Sequence, residues 1–161
     1  MGDVLFVFGG EDPRRVSLGD LWCLHLPTLV WSRPKAQGAA PAARAAHTAV
    51  SYLHRYVVVF GGGSISTCSS ELYVLDTCAS PMTWSQPQVS SGLLVTPRAG
   101  HSAAVVGSAM YTVGGGDGKQ GEELGEEGTQ CECAGCDISF GTTAVASPPA
   151  LQAGRTCLPR S

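Results

Sequence analysis

The chain has 161 residues, 21 of them Gly and 10 Pro. That density excludes long helices, because an interior Gly costs ~1 kcal/mol and Pro ~3 kcal/mol relative to Ala. Collagen is excluded because the glycines fall in doublets and triplets without a G-X-Y period, and a 43% hydrophobic, 14% charged composition excludes a solvated polyelectrolyte. A net charge of -3 leaves no footprint for nucleic acid or an anionic membrane. No apolar run approaches the ~18 residues of a membrane-inserted helix. A turn-rich all-β chain remains.

At the N-terminus, acidic Asp3 and the short apolar stretch 4–8 do not read as a signal peptide. The seven cysteines are therefore read as reduced thiols of a cytoplasmic protein. The first predicted strand, Leu5-Phe6-Val7-Phe8, ends in Gly9-Gly10. A second covers Asp20-Leu21-Trp22-Cys23-Leu24, and a third begins at Trp31-Ser32-Arg33-Pro34. After Pro41-Ala42-Ala43-Arg44 comes His47-Thr48-Ala49-Val50, a tight turn at 53–55, and Tyr56-Val57-Val58-Val59-Phe60 running into Gly61-Gly62-Gly63. Continuous apolarity over that stretch predicts burial on both faces. Leu72-Tyr73-Val74-Leu75-Asp76 and a strand from Trp84 follow. The next pair is His101-Ser102-Ala103-Ala104-Val105 after Pro97-Arg98, and Met110-Tyr111-Thr112-Val113 ending in Gly114-Gly115-Gly116.

These segments are copies of one unit. Gly9 to Gly61 is 52 residues and Gly61 to Gly114 is 53; Leu21 to Leu72 is 51, Trp31 to Trp84 is 53, and Arg44 to Arg98 and His47 to His101 are both 54. Independent landmarks keeping one step define a four-strand repeat. The glycines suit a backbone that bends or approaches another backbone closely, and a buried Trp in the fourth strand would anchor one sheet on the next.

A four-stranded unit of ~50 residues with a Gly doublet, a downstream aromatic and a Trp resembles the kelch repeat, whose copies form the blades of a β-propeller. Within that family the wording is most similar to the kelch half of plant-type acyl-CoA-binding proteins. The residues carrying the likeness are Phe8-Gly9-Gly10-Glu11-Asp12, Arg55-Tyr56 leading into Phe60-Gly61-Gly62-Gly63-Ser64, Met82-Thr83-Trp84-Ser85, and Thr96-Pro97-Arg98-Ala99-Gly100-His101 followed by Val113-Gly114-Gly115-Gly116-Asp117. Gly19 and Ser70 stand where that group usually has Asn, and the helical acyl-CoA-binding domain has no counterpart here.

The expected architecture is a partial kelch β-propeller. Residues 1–119 form the incomplete repeat region, with a partial blade at 1–35, a full four-stranded blade at 41–88 and a half blade at 97–119. Propellers close with four to eight blades, so this set cannot close a ring by itself. After Lys119 the repeat stops, and residues 120–161, carrying 6 acidic and 2 basic residues, are expected to be a non-kelch, disordered tail.

Several motifs lose their functional reading in context. Gly116-Asp117-Gly118-Lys119-Gln120-Gly121 matches G-x-G-x-x-G, but no helix-capable segment follows to receive a pyrophosphate. Cys131, Cys133 and Cys136, even with Cys157, lack the second well-spaced pair of a zinc site. Glu122, Glu123, Glu126 and Glu127 read as a solvated charge run. His47 and His101 recur once per unit beside Arg44 and Arg98, which points to packing. No catalytic, cofactor-binding or metal-binding residue is assigned, and no cofactor is expected.

The resemblance implies a non-catalytic protein-interaction module whose partner docks on the blade-end loops 11–19, 35–43, 64–70 and 88–97. Acyl-CoA is not expected to bind this chain directly, nor are nucleic acid or membrane insertion. Two other readings compete: a kelch-type small-GTPase or membrane-traffic effector, and a truncated or mis-spliced product without independent function. An enzyme on kelch blades resembling the copper radical oxidases would need converging Tyr, Cys and His ligands, and no such set is visible.

Overall fold

The computed structural model describes residues 2–64, 66–87, 96–107 and 109–116, with the backbone of Thr143–Val145. All regular elements among them are strands. β1 (Val4–Glu11), β2 (Ser17–His25) and β3 (Val30–Ser32) form an antiparallel sheet in that order. The second sheet contains β4 (Ala36–Gly38), β5 (Thr48–Tyr52), β6 (Tyr56–Phe60), β9 (Leu72–Asp76) and β10 (Met82–Ser85), in the order β4-β10-β9-β6-β5. A two-stranded hairpin, β7 (Gly63–Ser64) with β8 (Thr67–Cys68), sits in the loop after β6. The third sheet has β12 (Ala109–Val113) between β11 (Ser102–Val106) and β13 (Thr143–Val145).

β6 explains the stacking. All five of its residues are buried, and since successive side chains point to opposite faces the strand feeds two cores. On one face Val57 and Val59, with Tyr73, Leu75 and Trp84, meet Phe6, Phe8 and Leu21 of the first sheet. On the other, Tyr56, Val58 and Phe60, with Leu72 and Val74, meet Met110, Ala103 and Val105 of the third. Each fully buried aliphatic or Phe side chain contributes about 1.5–3 kcal/mol. A one-residue slip in the pairing Val57↔Leu75, Val59↔Tyr73 would exchange the two cores, so the register is fixed by both neighbours.

The glycine after the second strand permits this approach. Gly9 and Gly61 have φ of 61° and 65°, and a Cβ there would lie 2.7 Å from the Arg44 carbonyl oxygen and 2.6 Å from that of Arg98 respectively. The following amides bond those same carbonyls, Gly10 N–H to Arg44 O at 2.9 Å and Gly62 N–H to Arg98 O at 2.8 Å. The same arginines return a second link, Arg44 N–H to Leu18 O at 3.0 Å and Arg98 N–H to Ser69 O at 3.1 Å, so each sheet is tied to the next by a repeated pair of backbone bonds.

Two features lie outside the sequence reading. β4 joins the second sheet as a fifth strand, parallel to β10, inside what the sequence presents as loop 35–43. Gly38 makes this possible, since a Cβ there would collide with the Trp84 carbonyl. In the stretch expected to be disordered, Thr143–Val145 pairs antiparallel with β12, on the edge that β9 occupies on β6. Backbone pairing of an open strand edge needs no apolar alternation in the strand that joins it, so composition gave no warning. The rest of 120–161 lies outside the described residues. Cys23 and Cys68 are free thiols whereas Cys78 is disulfide-bonded, so the reading of seven reduced thiols fails at Cys78. No helix of the described residues is long and apolar enough to cross a membrane.

Candidate interaction site

The antiparallel order places the loops. β1 and β6 run toward the glycine turns and β2 and β9 run back, so loops 11–19 and 64–70 share one end of the stack. β3 and β10 also run toward that end; of 35–43, β4 lies alongside β10 below it and Ala43 reaches it against Gly19, while 88–95 lie outside the described residues. The opposite end carries the turns at 26–29, 53–55 and 77–81.

The loop after β1 is a small closed turn. Asp12 Oδ1 accepts the Arg14 and Val16 amides, each at 2.8 Å, and the Arg15 amide bonds Asp12 O at 2.9 Å. This Asx-type bonding holds Arg15 at a φ of 64° and leaves Pro13, Arg14, Arg15 and Val16 exposed at the tip. Arg15 lies 3.7 Å from Glu11, a solvent-exposed pair worth about 0–1 kcal/mol. In the neighbouring loop Ser64 and Thr67 hydroxyls bond at 2.9 Å.

Beneath these loops sits Arg44, whose side chain is only 4% exposed. Its guanidinium donates to Ala42 O at 3.1 Å, Gly61 O at 3.0 Å and Glu71 Oε2 at 2.8 Å, and it stacks over Tyr73 at 5.1 Å. The Arg44 hydrogen bond is the first cause holding the Glu71 carboxyl below its ordinary value, against some desolvation. Arg98 repeats part of this in the third sheet, donating to Gly114 O at 3.2 Å. Each arginine therefore fixes the glycine turn of its own sheet while its carbonyl binds the preceding one.

The two recurring histidines pack between sheets. His47 meets Phe8 edge-on at 5.7 Å and His101 meets Phe60 at 5.3 Å, and His101 Nε2 lies 2.7 Å from Thr48 Oγ1. Burial first, then a nearby arginine, lowers the pKa of both rings, so they are held neutral. Their packing role was read from their spacing. At the opposite end Arg55 forms a paired contact with Asp76, its Nε 2.9 Å from Oδ1, and stacks on Tyr56; this pair closes the β5–β6 turn onto β9.

Glu71 was missed in the sequence as the partner of Arg44. The usable signal was an acidic residue directly ahead of the Leu72 strand in a unit with a fixed arginine. Arg55 and Asp76, 21 positions apart, gave no such signal. Beyond Gly116, the glycine-rich match, Cys131, Cys133, Cys136 and Cys157, and the glutamate run lie outside the described residues. Among the described residues no three His, Cys, Asp or Glu side chains come together as a metal site.

Residues 1–126 match the family model described as the KLHDC2/KLHL20/DRC7 Kelch-repeats domain. Acyl-CoA-binding domain-containing proteins 4 and 5 of Arabidopsis thaliana are 42% and 43% identical over 121 residues, 75% of this chain and 18% of each relative. The Rab9 effector protein with kelch motifs of Mus musculus is 33% identical over 117 residues, 69% of this chain and 29% of that protein. The chain thus spans less than a fifth of the length of the plant proteins.

Proposed function

Because the chain belongs to the kelch-repeat family, we propose that it is a non-catalytic interaction module whose protein partner docks on the loops at the glycine-turn end. The observation that carries this reading is a contrast within that end. Arg44, Gly61 and Gly62 form a buried floor, while Arg14, Arg15 and Val16 stand exposed above it on a turn locked by Asp12. Preorganised loops on a packed scaffold bind at lower ordering cost than free ones. Likeness to the plant acyl-CoA-binding domain-containing proteins suggests that the chain corresponds to their docking portion, with acyl-CoA bound elsewhere. The test is quantitative affinity capture with the native chain, an R14A/R15A/V16S variant, and an opposite-end L53S/H54S variant. Proteins lost with the first variant and kept with the second support the reading; equal loss, or loss only with the second, contradicts it.

A second reading follows from the likeness to the Rab9 effector protein: a partner among small GTPases. Titration with nucleotide-loaded small GTPases separates the two, because binding that depends on the loaded nucleotide belongs to this reading alone.

A further inference from the structure

The turn between β1 and β2 carries a motif that its own packing does not require. Arg14-Arg15-Val16-Ser17-Leu18 places two cations three and two residues ahead of a serine, with an apolar residue directly after it. Leu21 to Leu72 is 51 residues, and at that step Arg14, Arg15 and Ser17 fall on Ile65, Ser66 and Cys68. The second unit thus closes the same hairpin, Gly63↔Cys68 in place of Glu11↔Ser17, with no arginine. Arg15 is held weakly, 3.7 Å from Glu11 with its side chain 75% exposed.

The motif is open to solvent. Arg14, Arg15 and Val16 are exposed, as is Leu18, and Ser17 is half-buried. In the second unit, which has a sheet on either side, Ser66 and Thr67 are exposed and Cys68 is half-buried, so neighbouring sheets do not cover this tip. Ser17 opens β2, and its pairing with Glu11 ends the ladder. Past that pair the turn is held by Asp12, whose Oδ1 accepts the Arg14 and Val16 amides and whose own amide bonds Val16 O at 3.0 Å. Releasing these local bonds frees 13–17 and stops at Leu18, whose carbonyl accepts the Arg44 amide. Openings of this size, remote from the cores, lie at the low end of local stability.

We propose that Ser17 is a phosphorylation site for a serine/threonine kinase with an acidic substrate cleft, which reads Arg14 and Arg15 as paired cations. The Ser17 hydroxyl oxygen attacks the γ-phosphorus of a nucleoside triphosphate and the bond from that phosphorus to the β–γ bridging oxygen breaks. The hydroxyl proton passes to a carboxylate of the kinase, and the nucleoside diphosphate leaves. The product adds a charge of about −1.5 to −2 to a turn in which Glu11 and Asp12 balance Arg14 and Arg15. Directly opposite residues of an antiparallel pair lie on one side of the sheet, so phosphate and Glu11 compete for Arg15. The like charges left facing each other loosen the end of the hairpin. This tip is the one proposed above to dock a protein; weaker docking after phosphorylation rests on that reading, whereas the modification itself does not.

The test incubates the 161-residue chain with the catalytic subunit of the cyclic-AMP-dependent kinase and magnesium ATP, with sites and rates read by mass spectrometry and folding by circular dichroism. Phosphate is expected on Ser17 of the native chain and not on S17A at that peptide. R14A/R15A is expected to lower kcat/KM at least about 30-fold, through loss of the paired charges. D12A, which releases two amides of the turn, is expected to raise it about fivefold, while D12N keeps an acceptor oxygen and stays near the native rate. A folded native chain left unmodified at Ser17 would overturn the proposal, as would a native rate for R14A/R15A or a D12A rate equal to that of D12N. No docking partner enters this assay, so its failure leaves the docking reading standing, and equal loss in the capture experiment leaves this site standing.

Discussion

Gly61 and Gly114 occupy the same repeat position with nearly the same backbone, φ 65° and 75°, but among the described residues only Gly61 has a sheet beyond it. A Cβ at Gly61 would lie 2.6 Å from Arg98 O and 2.8 Å from His101 Cε1, whereas one at Gly114 meets nothing within 4 Å. Replacing either by Ala costs about 1–2 kcal/mol for the left-handed conformation. G61A must in addition push the start of β11 away, losing the Gly62 N–H to Arg98 O bond at about 1 kcal/mol. Strain in the packed interface adds about 1–3 kcal/mol. The expected difference between the variants is therefore roughly 2–4 kcal/mol, or about 8–16 °C in Tm at about 4 °C per kcal/mol. Thermal melts of the full chain followed by circular dichroism, with urea titrations for the free energies, measure it. G9A, facing Arg44 O at 2.7 Å, should behave like G61A. Equal losses for G61A and G114A would refute the claim that these glycines exist for sheet-to-sheet contact.

Trp84 is 4% exposed and packs 5.3 Å from Phe8, so W84A is expected to cost about 3–5 kcal/mol by urea denaturation. A loss under about 1 kcal/mol would show that the anchor lies elsewhere. R44M removes the donor to Gly61 O and Glu71 and should cost about 2–3 kcal/mol, with amide exchange accelerated first at 61–64; unchanged exchange there would remove Arg44 as the floor of the loops. Stability should also depend on pH in two steps. His47 and His101 have folded pKa values below the ordinary 6.5, so the unfolded chain takes up protons first and stability falls as pH drops below about 6.5. Glu71 and Asp76 are held below 4.5 and 3.8 respectively by Arg44 and Arg55. Their contribution is complete above those values and is lost as pH falls through and below them. H47Q/H101Q should flatten the first step and leave the second; an unchanged Tm profile would contradict the neutral, packed state of both rings.

The strands were legible because β6 states its burial in five consecutive apolar residues and the glycine turns repeat at a constant step. Trp84 was legible as an anchor for the same reason, as were His47 and His101 as packing residues. Trp31, at Trp84's repeat position, nevertheless ends 52% exposed, because burial there depends on a neighbouring sheet that no local pattern reports. β4 was invisible: three residues, Ala-Gln-Gly, carry no alternation, and their pairing depends on Gly38 fitting against Trp84. β13 was invisible because pairing with an open strand edge needs no apolar alternation in the strand that joins it. In the candidate site, loop positions followed from the repeat. The Asp12 turn and the Arg44–Glu71 link did not, since polar contacts depend on side-chain reach across the fold.

The account rests on the second sheet being the common core of a three-sheet stack. Hydrogen exchange of the 161-residue chain, read amide by amide, tests this most directly. The expected result is slowest exchange at Val57–Phe60 and Leu72–Leu75, buried between the other two sheets, with faster exchange in β3 and β11. Uniformly fast exchange, or protection greatest in the first sheet and least in β6, would contradict it.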